Sequence, residues 1–217
     1  DYAAGTASPA VSLLMATHLA MNEDGRSSFD LMQSIGGAFL DDIAGDPLEH
    51  ISADSVLARI DEDDHGQAPN GSVPRMRQAS RAGTPPTFHD DVLPAPLHDA
   101  QAMAGGDRRW RRLGYGVAAA KLAVSNERER AHLLWAKGGT GIATHRHVGH
   151  EIVLVLQGAF LDDGVRYSPG DVAVCEDGSV HTPQIDDGED CVCLAVTEAP
   201  VHFTGLTGLI LNRFCRF

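Results

Sequence analysis

The chain has 217 residues, of which 43% are hydrophobic and 6% aromatic, enough to bury one large core or two small ones. No stretch reaches the roughly 18 apolar residues of a membrane-spanning helix, and the opening Asp-Tyr-Ala-Ala-Gly is no signal peptide. The net charge of -13 is concentrated in residues 1–100, which carry 16 acidic and 5 basic side chains against 14 and 12 in residues 101–217. An acidic surface repels phosphate, which excludes direct nucleic-acid binding by the first half and suits either a basic protein partner or plain solubility.

Ser8-Pro9 reads as an N-cap followed by proline at the first helical position, opening a helix with Val11, Leu14, Met15 and His18 on one face. A second helix is expected from Ser27 or Ser28 to about Ile43, with Met32, Ile35, Phe39 and Ile43 aligned and Gly45-Asp46-Pro47 as its stop. A third, over 52–61, turns Val56, Leu57 and Ile60 inward. Such short amphipathic helices need a bundle or a partner to cover their stripes. Residues 62–91 lose periodicity and fill with Asp, Gly, Pro, Ser and Arg, as a flexible linker does, and 92–104 could add a fourth helix. From Trp110 the texture becomes short strands between turn residues, at 116–124, 131–137, 151–157, 172–175 and 190–197. The expected fold is therefore α + β and multidomain. A small helical bundle (1–61) is followed by the linker, the possible fourth helix, an antiparallel β-barrel (105–203) and a tail (204–217).

Within the strand region, Gly139, His145, His147, Glu151 and Gly158 stand at the spacing G-x5-H-x-H-x3-E-x6-G, and Gly170, Gly178 and His181 at G-x7-G-x2-H. A strand sends alternate side chains to one face, so His145 and His147 can point together into a barrel. Val148-Gly149 supplies a bend that returns the chain with Glu151 beside them, and a later strand brings His181. Three imidazoles and a carboxylate suit one divalent metal: zinc is the first expectation, with iron, manganese and nickel compatible. These residues resemble the two signature motifs of the cupin superfamily, small antiparallel barrels with a metal in the mouth. The first motif matches throughout; the second carries Glu176 where proline is usual and Ile185 where asparagine is usual.

The four cysteines, Cys175, Cys191, Cys193 and Cys215, do not form a secreted disulfide framework, so a reducing cytoplasm is expected. Cys191 and Cys193 share a strand face, where they could lie near the metal or each other, as redox groups or as plain wall residues. Arg108, Arg109, Arg111 and Arg112 form a basic cluster suited to docking the acidic half.

Taken together, Tyr2-Ala-Ala-Gly-Thr-Ala-Ser-Pro9, Leu13-Leu14-Met15-Ala-Thr-His18-Leu19, Trp110-Arg-Arg-Leu-Gly114, the His145-x-His147-x3-Glu151 motif and Cys191-x-Cys193-Leu-Ala-Val196 resemble the ChrR-type anti-sigma factors over nearly the whole chain. The resemblance implies a regulator that sequesters an extracytoplasmic-function sigma factor through its helical half and responds to oxidative stress, singlet oxygen in particular, through its cupin half. It also implies an H-x3-C-x2-C zinc motif near the N-terminus, but here the series reads His18-x3-Asn22-x2-Gly25. With both thiolates gone, no N-terminal zinc is expected, and His18 is read as a helix-face histidine.

Two functions compete at this level. In one, a non-enzymatic regulator lays Leu14, Met15, Met32, Ile35 and Phe39 against a sigma factor while the barrel metal is structural or sensory. In the other, a cupin metalloenzyme, a dioxygenase or isomerase acting on a small acid, uses the same site, with His150 and Glu176 as candidate acid and base. A ligand sensor whose ligand caps the metal is a third possibility.

Overall fold

A computed structural model describes residues 1–45, 52–64, 93–103 and 110–204. The expected linker therefore lies almost wholly outside the described residues, as do the expected tail beyond Thr204, Cys215, Arg108 and Arg109. The chain forms two compact units, residues 1–33 with 82–217, and residues 34–81.

In the first unit, helix α1 (Pro9–Met21) starts as its sequence dictates, with the Ser8 hydroxyl accepting from the Val11 N–H and proline in the first turn. Asn22 ends it, donating its backbone N–H to His18 O. The same Asn22 then opens helix α2 (Glu23–Asp41) by accepting from the Gly25 N–H at 2.8 Å, with Glu23 and Asp24 favourably placed in the first turn. The second helix thus begins several residues before the expected Ser27 or Ser28. Both serines sit inside it, their hydroxyls bonded back to the Glu23 and Asp24 carbonyls. Helix α4 (Ala95–Met103) follows Pro94 and packs on α1.

The strand region is antiparallel throughout, as expected. A six-stranded sheet has the order β1 (Trp110–Gly114), β2 (Val117–Lys121), β3 (Arg130–Ala136), β11 (Cys191–Thr197), β5 (Glu151–Gln157) and β8 (Val172–Cys175). Two three-stranded sheets accompany it, one formed by β10 (Gln184–Ile185), β6 (Phe160–Asp162) and β7 (Val165–Tyr167). The other is formed by β12 (His202–Phe203), β4 (His145–Arg146) and β9 (Val180–His181).

Alternation along the strands divides the main sheet into two apolar faces. Val192, Leu194 and Val196 of β11 point to one side, where they join Leu133, Trp135, Leu154 and, from the helices, Ala10, Leu14, Leu93 and Leu97 in one buried cluster. Cys191, Cys193 and Ala195 point to the other, with Val153, Val155, Phe160, Ala173 and Ile185. Helix α1 is thereby part of the core of the β unit: Ala10, Leu14 and Thr17 are fully buried. His18 adds a polar tie, its Nδ1 donating to Gly170 O at 2.9 Å in the turn before β8. The sequence had grouped Leu14 with Met32, Ile35 and Phe39 in one stripe. Leu14 is instead covered by the sheet, while Met32, Ile35 and Phe39 are exposed.

The second unit holds the end of α2 and helix α3 (Ala53–Asp64). Ser52 and Ser55 cap α3 reciprocally, each backbone N–H bonded to the other's hydroxyl. Val56 and Leu57 are exposed rather than inward, and so are Leu40 and Ile43. No residue of α2 is buried anywhere along its length.

Candidate metal centre

The four expected ligands come together. Register places His145 of β4 directly opposite His181 of β9. The ladder continues one step past β4, where His147 donates its backbone N–H to Ser179 O and accepts from the Gly178 N–H. A sharp reversal at Gly149 (φ +75°), whose N–H is held by Asp177, then starts β5 on the main sheet with Glu151 inward. A Cβ at Gly149 would meet the Glu198 carboxylate at 2.5 Å in a backbone conformation L-residues rarely adopt, so the spacing between His147 and Glu151 depends on this glycine.

One donor atom from each of His145, His147, Glu151 and His181 lies within 4.8 Å of every other. The three imidazoles converge through Nε2: His147 to His181 at 2.7 Å, and His181 to His145 at 2.8 Å. His147 Nε2 is 3.6 Å from Glu151 Oε2. The opposite ring atoms fix the tautomers. His145 Nδ1 donates to Ala143 O at 2.9 Å, which leaves the Nε2 of its neutral ring as an acceptor facing the cluster, and His181 Nδ1 donates to Asp162 Oδ2 at 2.6 Å. The donor set thus fits a divalent metal, and His145, His147, Glu151 and His181 could hold it.

Electrostatics point the same way. Burial pulls His145 down to about 4, partly opposed by the Ala143 carbonyl, and it pulls His147 to about 4 with help from His145 and His181. Both rings are neutral at pH 7, as ligation requires. Burial, then the nearby Asp162 charge, pushes Glu151 up to about 7. A bound cation would reverse that rise.

Asp162 is the residue that sequence reasoning missed. It lies at the end of β6, bonds His181 on the ring atom facing away from the cluster, and completes a carboxylate–histidine pair of the kind that orients metal ligands. His150 and Glu176, considered as acid and base, lie elsewhere. His150 is surface-exposed and paired with Glu198 at 3.1 Å, and Glu176 is exposed.

The cluster opens into a cavity of about 360 Å³, on whose wall Cys175, Cys191 and Cys193 also lie. Cys191 and Cys193 face each other with Sγ atoms 3.6 Å apart, both buried. The Cys191 contact, then burial, raises the Cys193 thiol well above its ordinary value, and burial pushes Cys175 up to about 12. These are protonated thiols, the opposite of the exposed low-pKa setting that makes cysteine nucleophilic. At the N-terminus, His18, Asn22 and Gly25 still face one another. However, Asn22 serves as a helix cap, Gly25 has no side chain and the His18 ring is engaged with Gly170.

The family described as the ChrR cupin-like domain matches residues 98–201. The anti-sigma-E factor ChrR of Cereibacter sphaeroides is 38% identical over 215 residues, spanning 99% of this chain and 93% of that protein. In the crystal structure of Rhodobacter sphaeroides SigE in complex with the anti-sigma ChrR, a chain superposes with a TM-score of 0.68 and 35% identity, over 90% of this chain and 92% of that one. An RmlC-like cupin from Ralstonia eutropha matches with a TM-score of 0.43 and 22% identity, over 48% of this chain and 71% of that one.

Proposed function

This chain belongs to the ChrR family, and on that premise we propose that it is an anti-sigma factor: it binds an extracytoplasmic-function sigma factor and withholds it from RNA polymerase. The observation that carries this reading is the extent of the similarity, which runs through the helices as well as the β unit and includes a relative crystallised with a sigma factor. The helices supply a suitable surface. Ile35, Phe39 and Leu40 on α2 and Ile43 just past its end are exposed, an apolar surface of the kind that soluble chains cover with a partner. Leu14 takes no part, since it is committed to the β unit.

The role proposed for His145, His147, Glu151 and His181 is to hold one zinc as a structural or sensory centre, without catalysis. With three imidazoles and a carboxylate, zinc is bound in a fully protein-ligated arrangement and needs no redox chemistry of its own. The response is proposed to be to oxidative stress. Because sigma factors act on RNA polymerase, the reading carries a cytoplasmic location, and no helix among the described residues is long and apolar enough to cross a membrane.

The test is transcription in vitro with purified polymerase, the cognate sigma factor and increasing amounts of this chain. Transcription from the sigma-dependent promoter should fall to background near one equivalent. Undiminished transcription at tenfold excess would reject the reading.

A further inference from the structure

Cys191 and Cys193 stand outside the four-residue cluster, yet their arrangement is specific. They are two residues apart on β11, so strand alternation sends both to one face, and their Sγ atoms stand 3.6 Å apart, at van der Waals contact. The strand is paired with β3 on one side and β5 on the other, which holds both Cβ atoms in place. Both side chains lie on the cavity wall beside Ala136, Val153, Phe160 and Ile185, and Cys193 keeps 7% of its surface accessible. No lysine or arginine lines the cavity among the described residues, so no fixed positive charge is at hand to stabilise a thiolate. The Cys191 contact, then burial, keeps the Cys193 thiol protonated.

The separation of the sulfurs selects among thiol chemistries. A disulfide would need them to close to about 2.05 Å between two Cβ atoms that a doubly paired strand keeps parallel. A linear two-coordinate ion such as mercuric ion sets its sulfurs on opposite sides, far beyond 3.6 Å, and requires both thiolates. Pyramidal trivalent arsenic holds two sulfurs side by side near van der Waals contact and leaves its third bond for an organic group. We propose that Cys191 and Cys193 form a bidentate site for monosubstituted trivalent arsenicals, R–As(OH)2, with R, a small alkyl or aryl group, seated in the cavity. Each S–H bond and each As–OH bond breaks, each thiol proton leaves with a hydroxide as water, and two As–S bonds form. Arsenic stays trivalent, no electrons are exchanged and the product is neutral, so the step needs no charge in an apolar site. At about 360 Å³ the cavity has room for one such group.

The experiment uses the reduced full chain, in which four cysteines compete, and phenylarsine oxide, the diol in water, with excess 2-mercaptoethanol to strip adducts held by one sulfur. Native mass spectrometry should show one phenylarsenic group per chain. Cys191→Ala and Cys193→Ala, which keep the wall apolar, should each weaken retention at least about a hundredfold because the second sulfur is lost. Cys175→Ala and Cys215→Ala should leave it unchanged. Digestion of the unsubstituted adduct, a readout that needs no variant, should place the arsenic on the peptide carrying both Cys191 and Cys193. Methylarsonous acid, with less apolar surface, should be retained at least about tenfold more weakly, and equal retention would overturn the seating of R in the cavity. A chain that takes up no arsenical, an adduct that forms only in denaturant, or arsenic held through Cys175 or Cys215 would overturn the site itself.

Discussion

Leu14→Ala tests how helix α1 is used. Leu14 has no exposed surface and packs in the same cluster as Leu133, Leu154 and Leu194 of the main sheet and Leu97 of α4. Removing its branched end forfeits the transfer free energy of the lost carbons and leaves a cavity between helix and sheet. Fully buried leucines treated in this way lose about 2–5 kcal/mol. Because the site is closed on all sides, the upper half of that range, about 3–5 kcal/mol, is the expectation here. The assay is denaturant unfolding followed by tryptophan fluorescence. The chain has two tryptophans, and both report on this cluster: Trp135 is a member and Trp110 packs against it. Trp135 is further pinned by its indole N–H donating to Asp190 at 3.2 Å. A helical substitution should therefore shift a transition read from β-strand probes. Phe39→Ala, at a side chain 69% exposed, should move the same transition by less than about 0.5 kcal/mol. If Leu14→Ala left the transition within that margin too, α1 would not be part of the β core, and its apolar face would again be available to a partner.

The remaining expectations concern the metal centre and the partner surface. Asp162→Asn keeps the shape of the side chain but replaces the carboxylate that accepts from His181, so zinc affinity measured by chelator competition should weaken about 10–100-fold while the fold is retained. His147→Ala removes one of four donors, and metal per chain after dialysis should drop well below one equivalent. In the metal-free chain, His132, His145 and His147 are held at about 4 against an ordinary 6.5, and Glu151 is raised to about 7 from 4.5. Between pH 6.5 and 4.5 the unfolded state thus binds three histidine protons that the folded state refuses, and the folded state keeps one glutamate proton that the unfolded state releases. The net effect favours unfolding, and stability should fall by about 1–3 kcal/mol for each pH unit of acidification in that window. A flat or rising profile on acidification would contradict the neutral buried histidines. Ile35→Ala and Phe39→Ala together should weaken sigma-factor binding at least about tenfold with the melting temperature unchanged, because both side chains are exposed in the free chain.

The ligand cluster was legible because its logic is local. His145, His147 and Glu151 are placed by strand alternation and one glycine turn, so their spacing carries the geometry, and His181 follows a second glycine-marked turn. Asp162 was not legible for the opposite reason. It sits in Phe160-Leu161-Asp162-Asp163-Gly164, where two acids before a glycine read as turn polarity, and only the pairing of β6 with β7 and β10 commits it to the barrel interior. Strands with an apolar run of four or more residues were readable, β5 and β8 to the residue. Two-residue strands such as β4, β9 and β12 contain too few positions to show a period, and the long-range pairing that creates them leaves no local trace. Ser27 and Ser28 look like helix caps in isolation, yet Asn22 preempts them by ending one helix and starting the next. The role of Leu14 was ambiguous in principle, since an amphipathic stripe is the same whether a sheet of the same chain or another protein covers it.

The most direct test of the central claim is a titration of the full chain, with its zinc content determined, against its purified cognate extracytoplasmic-function sigma factor. One-to-one association at sub-micromolar concentration, by a chain bearing about one zinc, is the expected result and would establish a regulator whose helices work without a metal of their own. Failure to associate at tens of micromolar, by a folded chain with its zinc in place, would contradict it.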